Sequence, residues 1–64
     1  MSETDIHALA ESLLASHHDM ADITALRQAQ HFNHIKDFDN YSAWLEITDR
    51  VRELQNRRRV SRTG

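Results

Sequence analysis

The stretch YSAWLEITDRVREL, residues 41–54, carries the clearest periodic signal in this sequence. Its apolar residues recur at intervals of three and four and therefore share one stripe of an α-helix: Trp44, Ile47, Val51 and Leu54. Such a stripe needs an apolar partner, and tryptophan is the largest side chain that it can bury. We therefore predict a closing helix over residues 40–58, with Trp44 as the largest single contributor to the core.

Two further helices are expected before it. The first, over residues 3–17, has Ser2 as its N-cap and an apolar stripe made of Ile6, Leu9, Ala10, Leu13 and Leu14. The second, over residues 20–36, has Asp19 as its expected N-cap, with Asp22 as the rival. One of its faces consists of small residues and the larger Phe32, namely Ala21, Ala25, Ala29 and Phe32. Proline is absent and the single glycine is the last residue, so the turns of a β-sheet have no obvious place.

Three helices with short connections predict an all-α fold, a three-helix bundle in up-down-up order. We expect this domain to cover residues 1–59 and a frayed basic tail to follow at 60–64. The closing helix is expected to take its cap from Asp37 or Asp39. The predicted core consists of Leu9, Leu13, Ala25, Phe32, Trp44, Ile47, Val51 and Leu54.

Length and composition narrow the class of protein. A chain of 64 residues buries only about 60% of the surface of its unfolded form, so its core is small. Without cysteine it has neither disulfides nor thiolate zinc sites. No apolar run approaches the ~20 residues of a membrane span, and the first residues lack the basic start and apolar stretch of a secretion signal. We expect a cytoplasmic protein with no membrane partner.

Charge is distributed unevenly along the chain. Residues 1–22 contain five acids and no Lys or Arg, whereas residues 50–64 hold six of the eight basic residues and one acid. The centre of this basic segment is formed by Arg57, Arg58, Arg59 and Arg62. These arginines could neutralise nucleic-acid phosphates, or they could simply form a solvated cationic helix end. The pI of about 6.2 and the lack of aromatic residues among the arginines favour the second interpretation.

Metal binding and catalysis find little support. His31 and His34 are three residues apart on a predicted helix, and Asp37 follows as a third candidate ligand. Two exposed histidines on a polar face explain this spacing more simply, so we expect neither a metal nor another cofactor. The chain has no cysteine nucleophile, no glycine-rich phosphate loop and too little bulk for a pocket of several hundred Å³. We therefore expect no enzymatic activity and no small-molecule substrate.

Four apolar residues fall off the two cleanest stripes: Met20, Ile23, Tyr41 and Leu45. One interpretation is that they form a surface that binds a partner. The other is that the second helix is oriented so that some of them are buried, and both interpretations stay open. The leading hypothesis is a non-catalytic interaction or regulatory protein. It docks a protein partner through an apolar face of helices 2 and 3. The partner is another protein or a second copy of the same chain. The alternative is a small nucleic-acid-associated protein that uses the arginine cluster.

The stretches HHDMA, residues 17–21, and DNYSAWLEITDRVREL, residues 39–54, resemble a family of short uncharacterised proteins common in alphaproteobacteria. In that family the first helix ends in a His-Gly pair and the closing helix reads W-x-x-I-x-x-R-x-x-x-L. The matching residues are His17, Asp19, Ala21, Asp37, Trp44, Ile47, Arg50 and Leu54. Here His18 and Asn40 stand where the family has glycine. The resemblance covers roughly residues 8–54; it implies a helical fold and no particular activity.

Overall fold

A computed structural model of the chain describes the backbone of residues 2–63 and the side chains of residues 2–57. Its elements are α1 (Glu3–His17), a 3₁₀ turn (His18–Met20), α2 (Ala21–His34) and α3 (Phe38–Thr63). No strand occurs within residues 2–63, which confirms the all-α class.

The finer prediction of a three-helix bundle depends on how the segments are joined. The 3₁₀ turn connects α1 directly to α2, so within residues 3–63 only residues 35–37 lie outside helical segments. The up-down-up arrangement therefore stays a prediction. Both α1 and α2 pack against α3, and the backbones of α2 and α3 make the more extensive close approach.

Helix α1 begins and ends at well-defined backbone features. As predicted, the Ser2 hydroxyl accepts a hydrogen bond from the Asp5 N–H, at 3.3 Å. The helix ends at His17, and the next residue, His18, has a φ of 51° and a ψ of −120°, a region that glycine occupies most easily. The His18 N–H still donates to the Leu14 carbonyl, so the turn satisfies that group while it holds His18 in a strained conformation.

Helix α2 starts without a side-chain cap. The prediction that Asp19 caps it is wrong, because Asp19 lies inside the 3₁₀ turn and Met20 occupies the N-cap position. The helix ends three residues before Asp37, two residues short of the predicted end at 36. There the Lys36 N–H donates to the Asn33 carbonyl and the Asp37 N–H to the Phe32 carbonyl. This is a Schellman motif, with Lys36 at a φ of 62°.

Helix α3 is longer than predicted. Asp37 caps it through a 3.4 Å hydrogen bond from the Asn40 N–H, and its second carboxylate oxygen accepts from Asn40 Nδ2 at 2.8 Å. The helix therefore begins at Phe38 and not at 40. The helical backbone continues to Thr63, and no proline or glycine interrupts it before Gly64; the expected fraying of residues 60–64 stays a prediction. Gly64 itself lies outside the described residues.

The buried core is smaller in side-chain volume than the sequence suggests. Its apolar members are Ile6, Ala10, Leu14, Ala21, Ala25, Ala29, Ile47 and Val51. Around them lie the partly buried Leu9, Leu13, Trp44 and Leu54. Of the predicted core, Ala25, Ile47 and Val51 are fully enclosed and Phe32 is half-buried. Trp44 is partly buried and packs against this core from its margin, and its rank as the largest single contributor stays a prediction.

Alanine explains this outcome. Every fully buried residue of α2 is an alanine, namely Ala21, Ala25 and Ala29. Helices that meet through methyl groups approach closely, and an indole then has no room between them. The largest fully buried side chains are instead Ile47, Val51 and Thr48 of α3. The Thr48 hydroxyl donates to the Trp44 carbonyl at 2.7 Å, so its polar group is satisfied within the helix.

Polar contacts attach the connection between α1 and α2 to α3. Gln55 Nε2 donates to the carbonyl oxygens of His18 and Asp19, at 3.3 and 3.4 Å. Nearby, Arg52 Nε lies 3.9 Å from Asp22 Oδ2. Helix α3 passes this connection at Gln55 and continues for eight residues, about 12 Å at 1.5 Å per residue. The long helix thereby sets the 43 Å length of the molecule.

The alanine face makes a direct prediction for stability. We expect Ala25→Leu to lower the free energy of unfolding by about 1–3 kcal/mol, because three extra carbon atoms force α2 away from α3. Ala15→Leu is the matched control, since Ala15 is exposed on α1 and its replacement should change stability by less than about 0.5 kcal/mol. Urea denaturation followed by circular dichroism measures both, and equal effects would contradict close packing at Ala25.

The strained turn makes a second prediction. We expect His18→Gly to raise the free energy of unfolding by about 1 kcal/mol, because glycine adopts a φ of 51° without a steric cost. His17→Gly is the control: this neighbour lies in the last turn of α1, where glycine should lower stability by about 0.5–1 kcal/mol. Thermal denaturation of both variants gives the comparison. A loss of stability in His18→Gly would show that the turn adopts another conformation.

Candidate protein-docking face

The exposed side of α2 carries one continuous stripe of side chains. Its members follow each other at intervals of three, four, four and three residues, which places them on a single helix face: Met20, Ile23, Arg27, His31 and His34. All five are exposed, and the two apolar members keep large accessible fractions, 53% for Met20 and 41% for Ile23. We call these five residues the α2 outer stripe. It lies opposite the alanine face, so the large apolar side chains of this helix end point away from the core.

Two more large apolar residues are exposed at the connection between α2 and α3. Ile35 is 53% accessible and Phe38 is 58% accessible. Sequence reasoning missed both as candidate site residues, because it treated the segment around Asp37 only as a helix cap. One sequence feature could have identified them. An apolar residue stands on each side of the helix break, and neither one belongs to an apolar stripe that a helix would bury.

The other two residues of the predicted surface, Tyr41 and Leu45, are half-buried. They share a flank of α3 with Arg52, at spacings of four and seven residues, and Arg52 faces Asp22 on α2. They therefore border the seam between α2 and α3, whereas Met20 and Ile23 lie on the outer surface of α2. The four residues of the predicted surface therefore lie in two places. Met20 and Ile23 are exposed on the outside, and Tyr41 and Leu45 lie beside the contact between α2 and α3.

The α2 outer stripe itself contains no acid, although the exposed Asp19 directly precedes its first residue. Arg27 belongs to the stripe and Lys36 follows it, and both are exposed. Among the described side chains, no carboxylate lies within 4 Å of either cation. The only acid of α2, Asp22, is 26% accessible and lies beside Arg52. The outer side of α2 is thus apolar at its amino end and cationic toward its carboxyl end.

The candidate metal ligands are not brought together. Within the described part of the chain, no three His, Asp or Glu side chains gather in an arrangement that could hold a metal ion. Both carboxylate oxygens of Asp37 accept hydrogen bonds from Asn40. The His31 ring packs edge-on against Phe32, with ring centres 5.5 Å apart. His34 lies in the last turn of α2, on the exposed surface.

An open groove of about 220 Å³ lies between α1 and α3. Its lining is mostly acidic and consists of Glu3, Ile6, Glu46, Asp49, Arg50 and Glu53. Arg50 Nη1 is 3.3 Å from Glu53 Oε2, so its one cation is already paired. Small-molecule sites usually occupy about 300–1,000 Å³ and are largely apolar, so the groove lacks the character of such a site.

The arginine cluster is only partly described. Arg57 is exposed on α3. The backbone of α3 is helical past the other three arginines, but the side chains of Arg58, Arg59 and Arg62 lie outside the described residues. Nucleic-acid binding through this cluster stays a prediction.

Comparisons with known proteins give no match: no family model, no curated protein and no solved structure corresponds to this chain. The resemblance to the alphaproteobacterial family therefore stays a prediction. No helix within residues 2–63 combines the length and the apolar character that crossing a membrane requires.

Proposed function

We propose that this chain is a non-catalytic interaction protein that docks a protein partner through an apolar face of α2 and the start of α3. One observation carries the proposal: the fully buried residues of α2 are all alanines, whereas Ile23 and the preceding Met20 are exposed. Ile35 and Phe38 form a second exposed apolar pair at the connection between α2 and α3. Clustered exposed apolar side chains on a small protein are typical of an interaction site.

Energetics support the same conclusion. Removing one large aliphatic or aromatic side chain from water is worth about 1.5–3 kcal/mol. A chain with so small a core gains from burying such residues, yet four of them remain exposed in the monomer. Packing Ile23 and Phe38 against a partner recovers this free energy. The half-buried Tyr41 and Leu45 add a further apolar margin on α3.

The order of the three helices is part of the same proposal. We also infer an up-down-up three-helix bundle, because α1 and α2 both pack on α3 and Gln55 holds the connection between them. The lack of cysteine accords with a reducing compartment, and we place the protein in the cytoplasm. Membership of the alphaproteobacterial family rests on the matching closing-helix residues Trp44, Ile47, Arg50 and Leu54.

A second candidate function is nucleic-acid association. The supporting observation is that α3 continues as a helix through Thr63, so the arginines belong to a regular segment that extends beyond the α1–α2 connection. Arginines on such a segment can neutralise several phosphates of one backbone. The excess of acid in the rest of the chain opposes binding, which places this candidate second.

The docking proposal predicts a site-specific crosslink. A photo-crosslinking amino acid at position 23 should give discrete protein adducts in the native cell, because that side chain lies in the proposed interface. The same amino acid at Ser12, exposed on α1, is the control and should give none of these adducts. Mass spectrometry identifies the adducts and shows whether the partner is another protein or a second copy. Identical adducts from both positions, or none from position 23, would contradict the proposal.

The second candidate predicts a steep dependence on salt. If it holds, the affinity for a fluorescent DNA or RNA duplex should fall steeply between about 50 and 200 mM salt, because bound arginines release counterions. Removal of residues 57–64 should abolish the binding, whereas Ile23→Ser should leave it unchanged. Fluorescence anisotropy measures all three. Salt-insensitive binding, or binding that survives the truncation, would rule out the arginine cluster as the nucleic-acid site.

A further inference from the structure

The α2 outer stripe specifies the chemistry of its partner as well as its apolar character. We propose that the partner docks with an acidic amphipathic helix. Its apolar side chains cover Met20 and Ile23, and its carboxylates meet Arg27, His31, His34 and Lys36. This inference rests on the proposed docking function and adds the chemical class of the partner segment.

The length and polarity of the stripe define the helix that fits it. From Met20 to His34 the stripe covers fourteen residue steps, about 21 Å along the α2 axis. Its first turn is apolar, and its later turns offer a guanidinium and two imidazole groups that can donate hydrogen bonds to carboxylates. A complementary helix therefore has about four turns, with apolar residues toward one end and acidic residues toward the other.

Neighbouring carboxylates do not oppose such a partner. Asp22 lies beside Arg52, at 3.9 Å, and both oxygens of Asp37 accept hydrogen bonds from Asn40. Asp19, which is exposed and directly precedes Met20, lies at the apolar end of the stripe, about 12 Å along the helix axis from Arg27. Arg27 and Lys36 are therefore the charges that face an incoming helix, although the whole chain has a formal net charge of −2.

Self-pairing of the stripe is less favourable than this heterologous docking. A two-fold axis through the middle of the stripe brings Arg27 against Arg27 of the second copy. Two like charges at the centre of an interface are repulsive, and the stripe itself contains no acid to separate them. Charge complementarity therefore favours a different, acidic protein as the occupant.

Two designed peptides test the inference. Each has about 18 residues, a leucine stripe and high helix propensity; one carries glutamates and the other carries lysines at the same positions. Both are titrated into the full chain, with isotope labels in the backbone and in the methionine and isoleucine methyl groups. We expect the glutamate peptide to shift the Met20 and Ile23 methyl signals and the amides of residues 27–34. At low salt it should bind at least about tenfold tighter than the lysine peptide.

Two charge reversals sharpen the test. Arg27→Glu should remove the preference for the glutamate peptide or reverse it. Arg50→Glu is the matched control, because Arg50 pairs with Glu53 on α3, and that variant should keep the preference. Circular dichroism verifies that both variants stay folded before the titrations are compared.

The outcomes separate this inference from the proposed function. Equal affinity for both peptides, lost in Ile23→Ser, overturns the acidic partner and leaves apolar docking in place. The inference is also overturned if neither peptide binds, or if the glutamate peptide shifts only signals beyond residue 56. A dimer in sedimentation experiments that Ile23→Ser dissociates would overturn it in favour of a second copy of the chain.

Discussion

The contact between the alanine face of α2 and helix α3 determines how this small protein is arranged. Ala21, Ala25 and Ala29 are fully buried, so the two helices meet with methyl groups on one side. Close approach leaves space for the β-branched Ile47, Val51 and Thr48 but displaces Trp44 to the margin. The same rotation of α2 places Met20 and Ile23 in water. Core and candidate interface are therefore two consequences of one helix orientation.

A core of this kind gives limited stabilisation, because an alanine removes little apolar surface from water. The connections between helices therefore matter more than in a larger domain. At His18 the backbone adopts a costly conformation, and Gln55 donates to the two carbonyl oxygens at that point. After α2, a Schellman motif and the Asp37 cap join two helices within three residues. Short polar links of this type keep α1 and α2 aligned on α3.

Much of the fold could be predicted from the sequence, because residue types and the spacing of apolar residues determine where each helix forms. The absence of proline and internal glycine indicated helices, the Ser2 cap followed from its residue type, and the small-residue face of α2 was visible as spaced alanines. The margin position of Trp44 could not be predicted, since it depends on how closely two helices approach. The exposed Ile35 and Phe38 were missed for a related reason: whether a residue beside a helix break is buried depends on tertiary packing, which local spacing does not contain.

The account of function depends on the orientation of α2, so the most direct measurement is the solvent accessibility of its side chains. A soluble paramagnetic gadolinium chelate, added to methyl-labelled protein, broadens the NMR signals of exposed methyl groups. We predict strong broadening for Met20, Ile23 and Ile35 and protection for Ala21, Ala25 and Ala29, at the level of Ile47. Protection of Ile23 together with broadening of Ala25 would show a rotated α2, and it would contradict both the packing and the docking face.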